Sequence, residues 1–425
     1  MSGQLRTRSE FRDGQGTLLP KGSDPAFFTS QRTRLNMNYS MEGLQFGLSM
    51  QDVRVWGQDV STINRTTTAN NNGFMLHQAW AEIALTNPQS VKNKFSLKIG
   101  RQEIAYDDQR LLGSLDWLQQ GRNHDAALLK YASNAWQLDV GGAYNQNKEN
   151  TSSTIYNSTP PGNYTASTNA GAMYKSMQFF HANRKLKNGN LAFLVFADQF
   201  NKYHTDTVDN VATTTFDKGV WGRVTSGLYL DNTFNGLNVT AAAYYQFGRN
   251  QTGKKLSAGL LSMKAIYAFD RVFKSGFGID YTSGGTHGTT VNVFDPLYGT
   301  PHKFWGYMDY FYAANTFGSG GLADYYLKTM FSISKKVSLN ADFHQFNSAV
   351  KLSGSDINGS KKNLGSELDI TGTYNLRKAV TLEAGYSHFF ATPLMASTQV
   401  KNVSNASLNA NWVYIMLNIT PEFIF

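Results

Sequence analysis

Residues 32–51 read RTRLNMNYSMEGLQFGLSMQ. In its first half, basic and polar residues alternate with largely apolar ones, and the alternation resumes after Met41-Glu42-Gly43. A period of two residues places successive side chains on opposite faces of a β-strand. The three residues between the two runs suffice for a tight turn. The stretch therefore predicts an antiparallel hairpin with one polar face and one apolar face.

The same alternation recurs from one end of the chain to the other and predicts about eighteen strands. They are expected at 4–13, 28–40, 42–57, 74–86, 93–104, 125–133, 135–145, 172–186, 190–201, 218–230, 237–249, 256–269, 274–283, 320–334, 337–350, 363–376, 380–391 and 404–420.

The connections between these strands alternate between short and long. Short turns include Lys187-Asn188-Gly189 and Lys335-Lys336. Long loops are expected at 14–27, 58–73, 105–124, 146–171, 202–217, 284–319, 351–362 and 392–403. Outer-membrane barrels have short periplasmic turns and long extracellular loops. With an even number of strands, both termini are then expected on the periplasmic side.

The composition agrees with a barrel and disfavours membrane helices. Only 16% of the 425 residues are charged, against about 25% in ordinary soluble proteins, and 13% are aromatic. Mean hydropathy is nevertheless −0.38, and no run of about 18 apolar residues could span a bilayer as a helix. Strands that alternate lipid-facing and lumen-facing residues reconcile these observations. We expect a single all-β domain over 1–425, a transmembrane antiparallel β-barrel in a Gram-negative outer membrane.

The two ends of the chain bear on the same interpretation. The last strand alternates, and the chain closes on Phe425, which resembles the signal read by the bacterial barrel-assembly machinery. No signal peptide follows Met1, so we interpret the start as mature or engineered. A soluble β-sandwich or β-helix is the alternative fold, but it would not need the asymmetry of loop lengths.

Several classes of function are disfavoured by what the sequence contains. The net charge is +9, but Lys and Arg are not clustered on helices, so we expect no nucleic-acid partner. There is no Cys and no G-x-S-x-G motif, and we expect no enzymatic activity, with a barrel hydrolase as the less favoured reading. The eight histidines lack metal-ligand spacing, so neither a metal nor a cofactor is expected. Outer-membrane lipid and lipopolysaccharide are the expected surroundings.

The alternation of side chains between the two faces of a strand, which we call parity, places basic residues on the lumen face of the first two strands. Five arginines share that face with one carboxylate, Glu10. They are Arg6, Arg8, Arg12, Arg32 and Arg34. Lys98 and Lys130 are also assigned inward. Uncompensated positive charge in a narrow pore concentrates anions, so we expect an anion-passing channel. A non-conducting barrel that acts as an adhesin or as a subunit of an envelope assembly remains the alternative.

The segment from Gly100 to Gly113, GRQEIAYDDQRLLG, is the most distinctive in the chain, and it continues to Trp117 and Gly121-Arg122-Asn123-His124-Asp125. It resembles the signature of the alginate-export family of outer-membrane barrels. The stretches 51–57, 280–285 and 294–306 agree with this resemblance.

The resemblance implies an eighteen-stranded barrel and, in its best-known members, export of an anionic polyuronate through an arginine-rich constriction. The solute could then be an alginate-like acidic polysaccharide or a smaller anion. By the same resemblance, residues near the constriction would be four arginines with two aspartates to orient them. They are Arg54, Arg101, Arg110 and Arg122, with Asp108 and Asp125.

Parity conflicts with this placement for two of the arginines. Arg54 shares its face with Leu48 and Met50, and Arg101 shares its face with Leu97 and Ile99, so both fall on the lipid-facing side. Either a bulge shifts the register, or these residues lie at the extracellular rim. An arginine facing lipid at mid-membrane costs about 2 to 4 kcal/mol, which favours the bulge.

The long loop at 284–319 is rich in aromatic residues. Trp305, Tyr307 and Tyr310 lie near His302 and Lys303 and could stack on sugar rings. A small apolar core that folds the loop over the barrel mouth is the favoured interpretation.

Overall fold

The computed structural model describes residues 1–57, 74–89, 92–146, 149, 151–156, 173–313, 319–359 and 361–423. The predicted loop at 58–73 and most of the predicted loop at 146–171 lie outside the described residues.

Twenty strands occur in the described part of the chain, and eighteen of them form one closed antiparallel barrel. The barrel strands are β1 Ser2–Asp13, β2 Ala26–Met41, β3 Leu44–Val55, β4 Met75–Ala84, β5 Lys94–Gln102, β6 His124–Ala132, β7 Trp136–Tyr144, β8 Ser176–Leu186, β9 Gly189–Val208, β10 Val211–Phe234, β11 Leu237–Arg249, β12 Lys255–Ala268, β13 Phe273–Thr282, β16 Leu322–Phe331, β17 Val337–Leu352, β18 Lys361–Arg377, β19 Val380–Ala391 and β20 Asn409–Ile419. The other two, β14 Thr286–His287 and β15 Thr290–Val291, form a small hairpin inside a loop.

Helical structure among the described residues is limited to short segments. The helix α1 spans Pro393–Ala396, and a 3₁₀ turn spans Pro301–Lys303. Neither is long and apolar enough to cross a membrane as a helix.

The barrel closes because β1 pairs on both of its edges. Arg6 lies opposite Arg32 of β2 on one side and opposite Asn418 of β20 on the other. Each of the eighteen described barrel strands therefore has a partner on both of its edges, which is the condition for a sheet in hydrocarbon. The alternation of the sequence sorts side chains as expected, since Phe277 is 72% exposed on the outward face while Arg32 and Arg223 are buried on the inward face. The prediction of an eighteen-stranded transmembrane barrel is confirmed.

One predicted long loop is wrong. Residues 202–217 are mostly strand, because β9 continues to Val208 and β10 begins at Val211. The pairing of these two strands runs to their tips, with a shift of register between Phe216 and Val220. This hairpin is rich in threonine, and β-branched residues favour extended backbone. The long connections that the structure describes gather at one end of the barrel, which we call the long-loop end, and the tight turns gather at the short-turn end.

Candidate functional site

Two of the long loops fold into the lumen. The first inner loop, residues 103–123, joins β5 to β6, and the second inner loop comprises the described residues 283–313 and 319–321 between β13 and β16. The buried apolar cluster of the barrel contains residues of both loops, among them Leu112, Tyr298 and Tyr310. A barrel of eighteen strands is otherwise wide enough for an aqueous channel. The inner loops therefore determine how narrow the lumen becomes.

Arginines of β1 attach the first inner loop to the barrel wall. The Arg8 guanidinium donates a hydrogen bond to the Trp117 carbonyl oxygen at 2.9 Å, and that of Arg6 donates to the Leu118 carbonyl oxygen at 3.1 Å. Ionised donors make stronger hydrogen bonds than neutral ones. The loop backbone is thus held by charged groups of the wall.

Three arginines converge on Asp116 at the centre of the first inner loop. The Asp116 carboxylate lies 2.8 Å from Arg32 Nη1, 3.2 Å from Arg6 Nη1 and 3.7 Å from Arg34 Nη1. The three arginine side chains are less than a tenth exposed, whereas that of Asp116 is 50% exposed. Burial alone would raise the pKa of Asp116, but the guanidiniums outweigh it and hold this pKa below its ordinary value.

The other two arginines of the wall share Glu10. Its carboxylate lies 2.8 Å from Arg8 Nε and 2.7 Å from Arg12 Nη2. Together with the group around Asp116, this arrangement sets five guanidiniums against two carboxylates. We call these seven residues the arginine patch. Five positive charges less two negative ones leave a formal charge of +3 on the patch.

The second inner loop binds the first by backbone hydrogen bonds. Tyr298 N–H donates to the Leu111 carbonyl oxygen at 2.9 Å, and Gly113 N–H donates to the Tyr298 carbonyl oxygen at 3.0 Å. Next to this pairing, the Trp117 and His302 rings stack with their centroids 4.2 Å apart. We call the joined loops the loop platform. It spans the lumen from the arginine patch to the opposite wall.

The platform reaches the opposite wall through polar contacts of the second inner loop. Asp295 lies 2.6 Å from Arg223 of β10, and the Tyr298 hydroxyl donates to Asp198 of β9 at 2.9 Å. Farther along the loop, Met308 N–H donates to Glu367 of β18 at 2.8 Å. These contacts fix the loop on both sides of the barrel.

Two of the predicted constriction arginines lie within the platform. Arg110 is buried, and its guanidinium lies 2.7 Å from Asp280 and 3.3 Å from Asp108. Arg122 is also buried and donates to the Gly299 carbonyl oxygen at 2.6 Å. Arg110 thus lies beside Asp108, as the resemblance implied, while Asp280 on β13 is its closer partner.

The placement of Arg54 and Arg101 near the constriction is wrong. The pairing of β2 with β3 and that of β5 with both its neighbours run without a shift of register through these residues. The pairing of β3 with β4 does shift between Ser49 and Met50, but it ends at Gln51, before Arg54, so no bulge turns either arginine inward. Arg54 pairs with Asp52 at 2.6 Å, and Arg101 pairs with Asp125 at 2.9 Å. Both arginines lie near the long-loop ends of their strands and are about half exposed on the outward face. The ion pairs and the rim position remove the cost that favoured a bulge.

Lys98 and Lys130 face the lumen on a separate part of the wall. Lys130 lies 3.2 Å from Glu82. The ammonium of Lys98 lies 3.9 Å from the centre of the Trp80 ring. The partners of the two lysines are therefore not residues of the arginine patch.

The loop aromatics divide into two groups. Trp305 and Tyr310 are almost fully buried, and Tyr310 packs on Phe389 with ring centroids 4.3 Å apart. They form the small apolar core that the sequence favoured. Tyr307 instead lines a cavity of about 760 Å³ on the short-turn side of the platform.

Asp116 is the residue of the site that the sequence interpretation missed. It directly precedes Trp117 in the distinctive segment, and it is an acidic residue between two of the predicted constriction arginines, Arg110 and Arg122. That position is the signal that could have identified it. Within the described residues, no group of three or more His, Asp or Glu could hold a metal ion.

A closed barrel with a charged lumen narrowed by inward loops defines an outer-membrane transport channel. Residues 1–407 match the family model described as alginate export, and the chain belongs to that family. It is an integral β-barrel of the bacterial outer membrane. None of the curated proteins compared with the chain matches it.

Solved structures share the fold at low sequence identity. OccK9 (OpdG) of Pseudomonas aeruginosa has a TM-score of 0.60 at 12% identity, over 99% of this chain and 97% of that chain. OccK2 (OpdF) of the same organism, solved in complex with glucuronate, has a TM-score of 0.61 at 12% identity, over 100% and 96%. OccAB2 of Acinetobacter baumannii has a TM-score of 0.59 at 14% identity, over 100% and 98%. These are likenesses of fold.

Proposed function

We propose that the chain is an anion-selective channel for carboxylate-bearing solutes, from small sugar acids to an alginate-like polyuronate. The observation that carries this proposal is the arrangement around Asp116, where three buried arginines share one half-exposed carboxylate. The surplus positive charge lies next to the solvent of a narrowed lumen. Such charge attracts anions and repels cations.

Two comparisons support the choice of solute. The family is described by the export of alginate, and one structure of similar fold was solved with glucuronate. Both compounds are sugar carboxylates. A transport role needs no catalytic group, and we propose accordingly that the chain is not an enzyme.

Outer-membrane lipid, including lipopolysaccharide, is the partner we propose for the outward face. Large apolar side chains such as Leu261, Tyr245 and Phe277 are exposed there. Exposed apolar bands of this kind are the part of a barrel that contacts acyl chains.

The test is the reversal potential of single channels in planar bilayers under a KCl gradient. Wild type is expected to prefer anions, more strongly as the salt concentration falls. The double variant Arg32→Gln/Arg34→Gln removes two charges of the arginine patch and should shift the reversal potential toward cations. The matched control is Arg101→Gln, which removes a charge from the outward face and should leave selectivity unchanged. A cation-selective wild type would refute the proposal.

A further inference from the structure

The cavity on the short-turn side of the platform contains a cation that the ion pairs described above do not use. Its walls come from the second inner loop and from β10 to β13 and β16 to β17. Three of its cations are engaged, since Arg110 pairs with Asp280, Lys328 pairs with Asp342 and Lys303 donates to the Asp108 carbonyl oxygen. Lys264 also faces the cavity, yet no hydrogen bond or ion pair joins its ammonium to any described residue.

A second unused polar group lies directly beside Lys264. Thr240 of β11 is the cross-strand partner of Lys264 on β12, so both side chains share the inward face. The Thr240 side chain is nine-tenths buried, and its hydroxyl oxygen has no hydrogen-bond partner among the described residues. Leaving a buried polar group unpaired costs free energy. A cation and a hydroxyl that both lack partners in one cavity point to a ligand that supplies acceptors.

Aromatic rings flank this pair. Gly278 lies opposite Lys264 on β13, and a side chain at Gly278 would collide with the Tyr326 ring, 2.2 Å from its nearest carbon. The glycine therefore lets the Tyr326 ring lie across the wall beside the lysine. Tyr229 and Tyr307 line the same cavity. Ring faces of this kind pack against the C–H groups of a hydroxylated carbon chain or sugar.

We propose that Lys264 and Thr240 form a binding subsite for the carboxylate of a small polyhydroxy monocarboxylate. The ammonium binds the carboxylate, a turn of the Thr240 side chain about its Cα–Cβ bond brings the covered hydroxyl to the same carboxylate, and the neighbouring tyrosines contact the hydroxylated chain. The subsite rests on the proposed function, because its ligand must travel the same lumen as the transported anions. It is distinct from the arginine patch, whose guanidiniums are engaged by residues of the first inner loop and by Glu10 of β1.

The experiment records interruptions of single-channel current by D-gluconate, with sorbitol as the neutral polyol of the same length. For wild type we expect gluconate to interrupt the current and sorbitol to have no effect. Lys264→Gln should weaken the association of gluconate about tenfold, as expected for loss of a charged hydrogen bond. Thr240→Val keeps the shape and should weaken it about threefold.

The matched control is Lys274→Gln, which removes an exposed cation at the rim of the same cavity and should change the association constant less than twofold. Heat-modifiable migration in gels verifies that each variant is folded, and Thr240→Val decides the matter if Lys264→Gln does not fold.

If gluconate binding is unchanged in both Lys264→Gln and Thr240→Val and the channel still prefers anions, the subsite is overturned and the proposed function stands. Interruption by sorbitol as strong as that by gluconate also overturns the subsite, because the site would then not recognise the carboxylate. A wild type that prefers cations refutes the proposed function itself.

Discussion

Replacing Asp116 by asparagine separates the charge of the arginine patch from its structural role. The change keeps the size of the side chain and removes the carboxylate shared by Arg6, Arg32 and Arg34. We expect the channel to become more anion-selective. The double variant Arg32→Gln/Arg34→Gln loosens the same attachment of the first inner loop, but it changes the charge in the opposite direction.

The magnitude follows from the half-exposed position of Asp116. A unit charge about 8 Å from a permeating ion contributes about 0.5 kcal/mol in water before screening. Screening reduces this to about 0.2 kcal/mol at 0.1 M salt and about 0.4 kcal/mol at 0.01 M. The substitution lowers the electrostatic free energy of a permeating anion and raises that of a cation by the same amount. The anion-to-cation permeability ratio should therefore rise about twofold at 0.1 M and about fourfold at 0.01 M.

The assay is the reversal potential of single channels at the two salt concentrations. Asp125→Asn serves as the control, because it removes the same charge from the outward face beside Arg101. An Asp116→Asn channel with unaltered selectivity at 0.01 M would mean that the arginine patch lies off the conduction path. A shift in the same direction as the double arginine variant would mean that loosening of the loop, and not charge, controls selectivity.

Three further outcomes are expected. Gly306→Ala should make the second inner loop susceptible to limited proteolysis, because Gly306 has a φ of +81° and an added Cβ would lie 2.5 Å from the Glu367 carboxylate. Gly288→Ala is the control: its φ is +58° but it lies in open space, so it bears only a backbone strain of about 1 kcal/mol and should leave the loop protected. Burial lowers the pKa of the Lys401 ammonium to about 8 in the folded protein, so between this pH and about pH 10.5 the unfolded chain binds more protons than the folded one. The free energy of unfolding in urea should therefore rise over this range in wild type relative to Lys401→Met. Parallel curves for the two proteins would contradict this. Because the chain has no cysteine, Thr289→Cys should react with an impermeant thiol reagent on intact cells and Asn188→Cys should not, and the reverse pattern would invert the assigned orientation.

The barrel could be predicted because each strand carries its own signal. Alternation from Arg32 to Gln51 is a local property of the sequence, and the structure buries four of the five arginines that it predicts on the inward face, Arg6, Arg8, Arg32 and Arg34. Parity also put Arg101 on the outward face, and the error was to override it with an expected bulge. Where the alternation of a strand and the family resemblance disagree on the direction in which a side chain points, the structure agrees with the alternation.

The interior of the lumen could not be predicted in the same way. Asp116 meets Arg6 across 110 positions of the sequence, and a single aspartate in a loop has no period that reveals such a contact. Strand alternation alone therefore predicts arginines that line open water, whereas Arg6, Arg8, Arg32 and Arg34 are buried against the first inner loop. The sequence predicts that the second inner loop folds over the barrel mouth, but its docking on the first depends on backbone hydrogen bonds that any residue type can make.

The joining of the two inner loops also implies an order of assembly. The hydrogen bonds from Leu115 to Thr300 and from Arg122 to Gly299 connect residues 185 and 177 positions apart. Contacts of such long range are costly to form in an open chain, so they become favourable after β6 to β13, the strands between the two loops, have paired with one another. That part of the wall is then an unobstructed trough, and the lumen narrows when the two loops dock on each other. Discrimination between solutes is therefore acquired only after the strands that carry the loops have assembled.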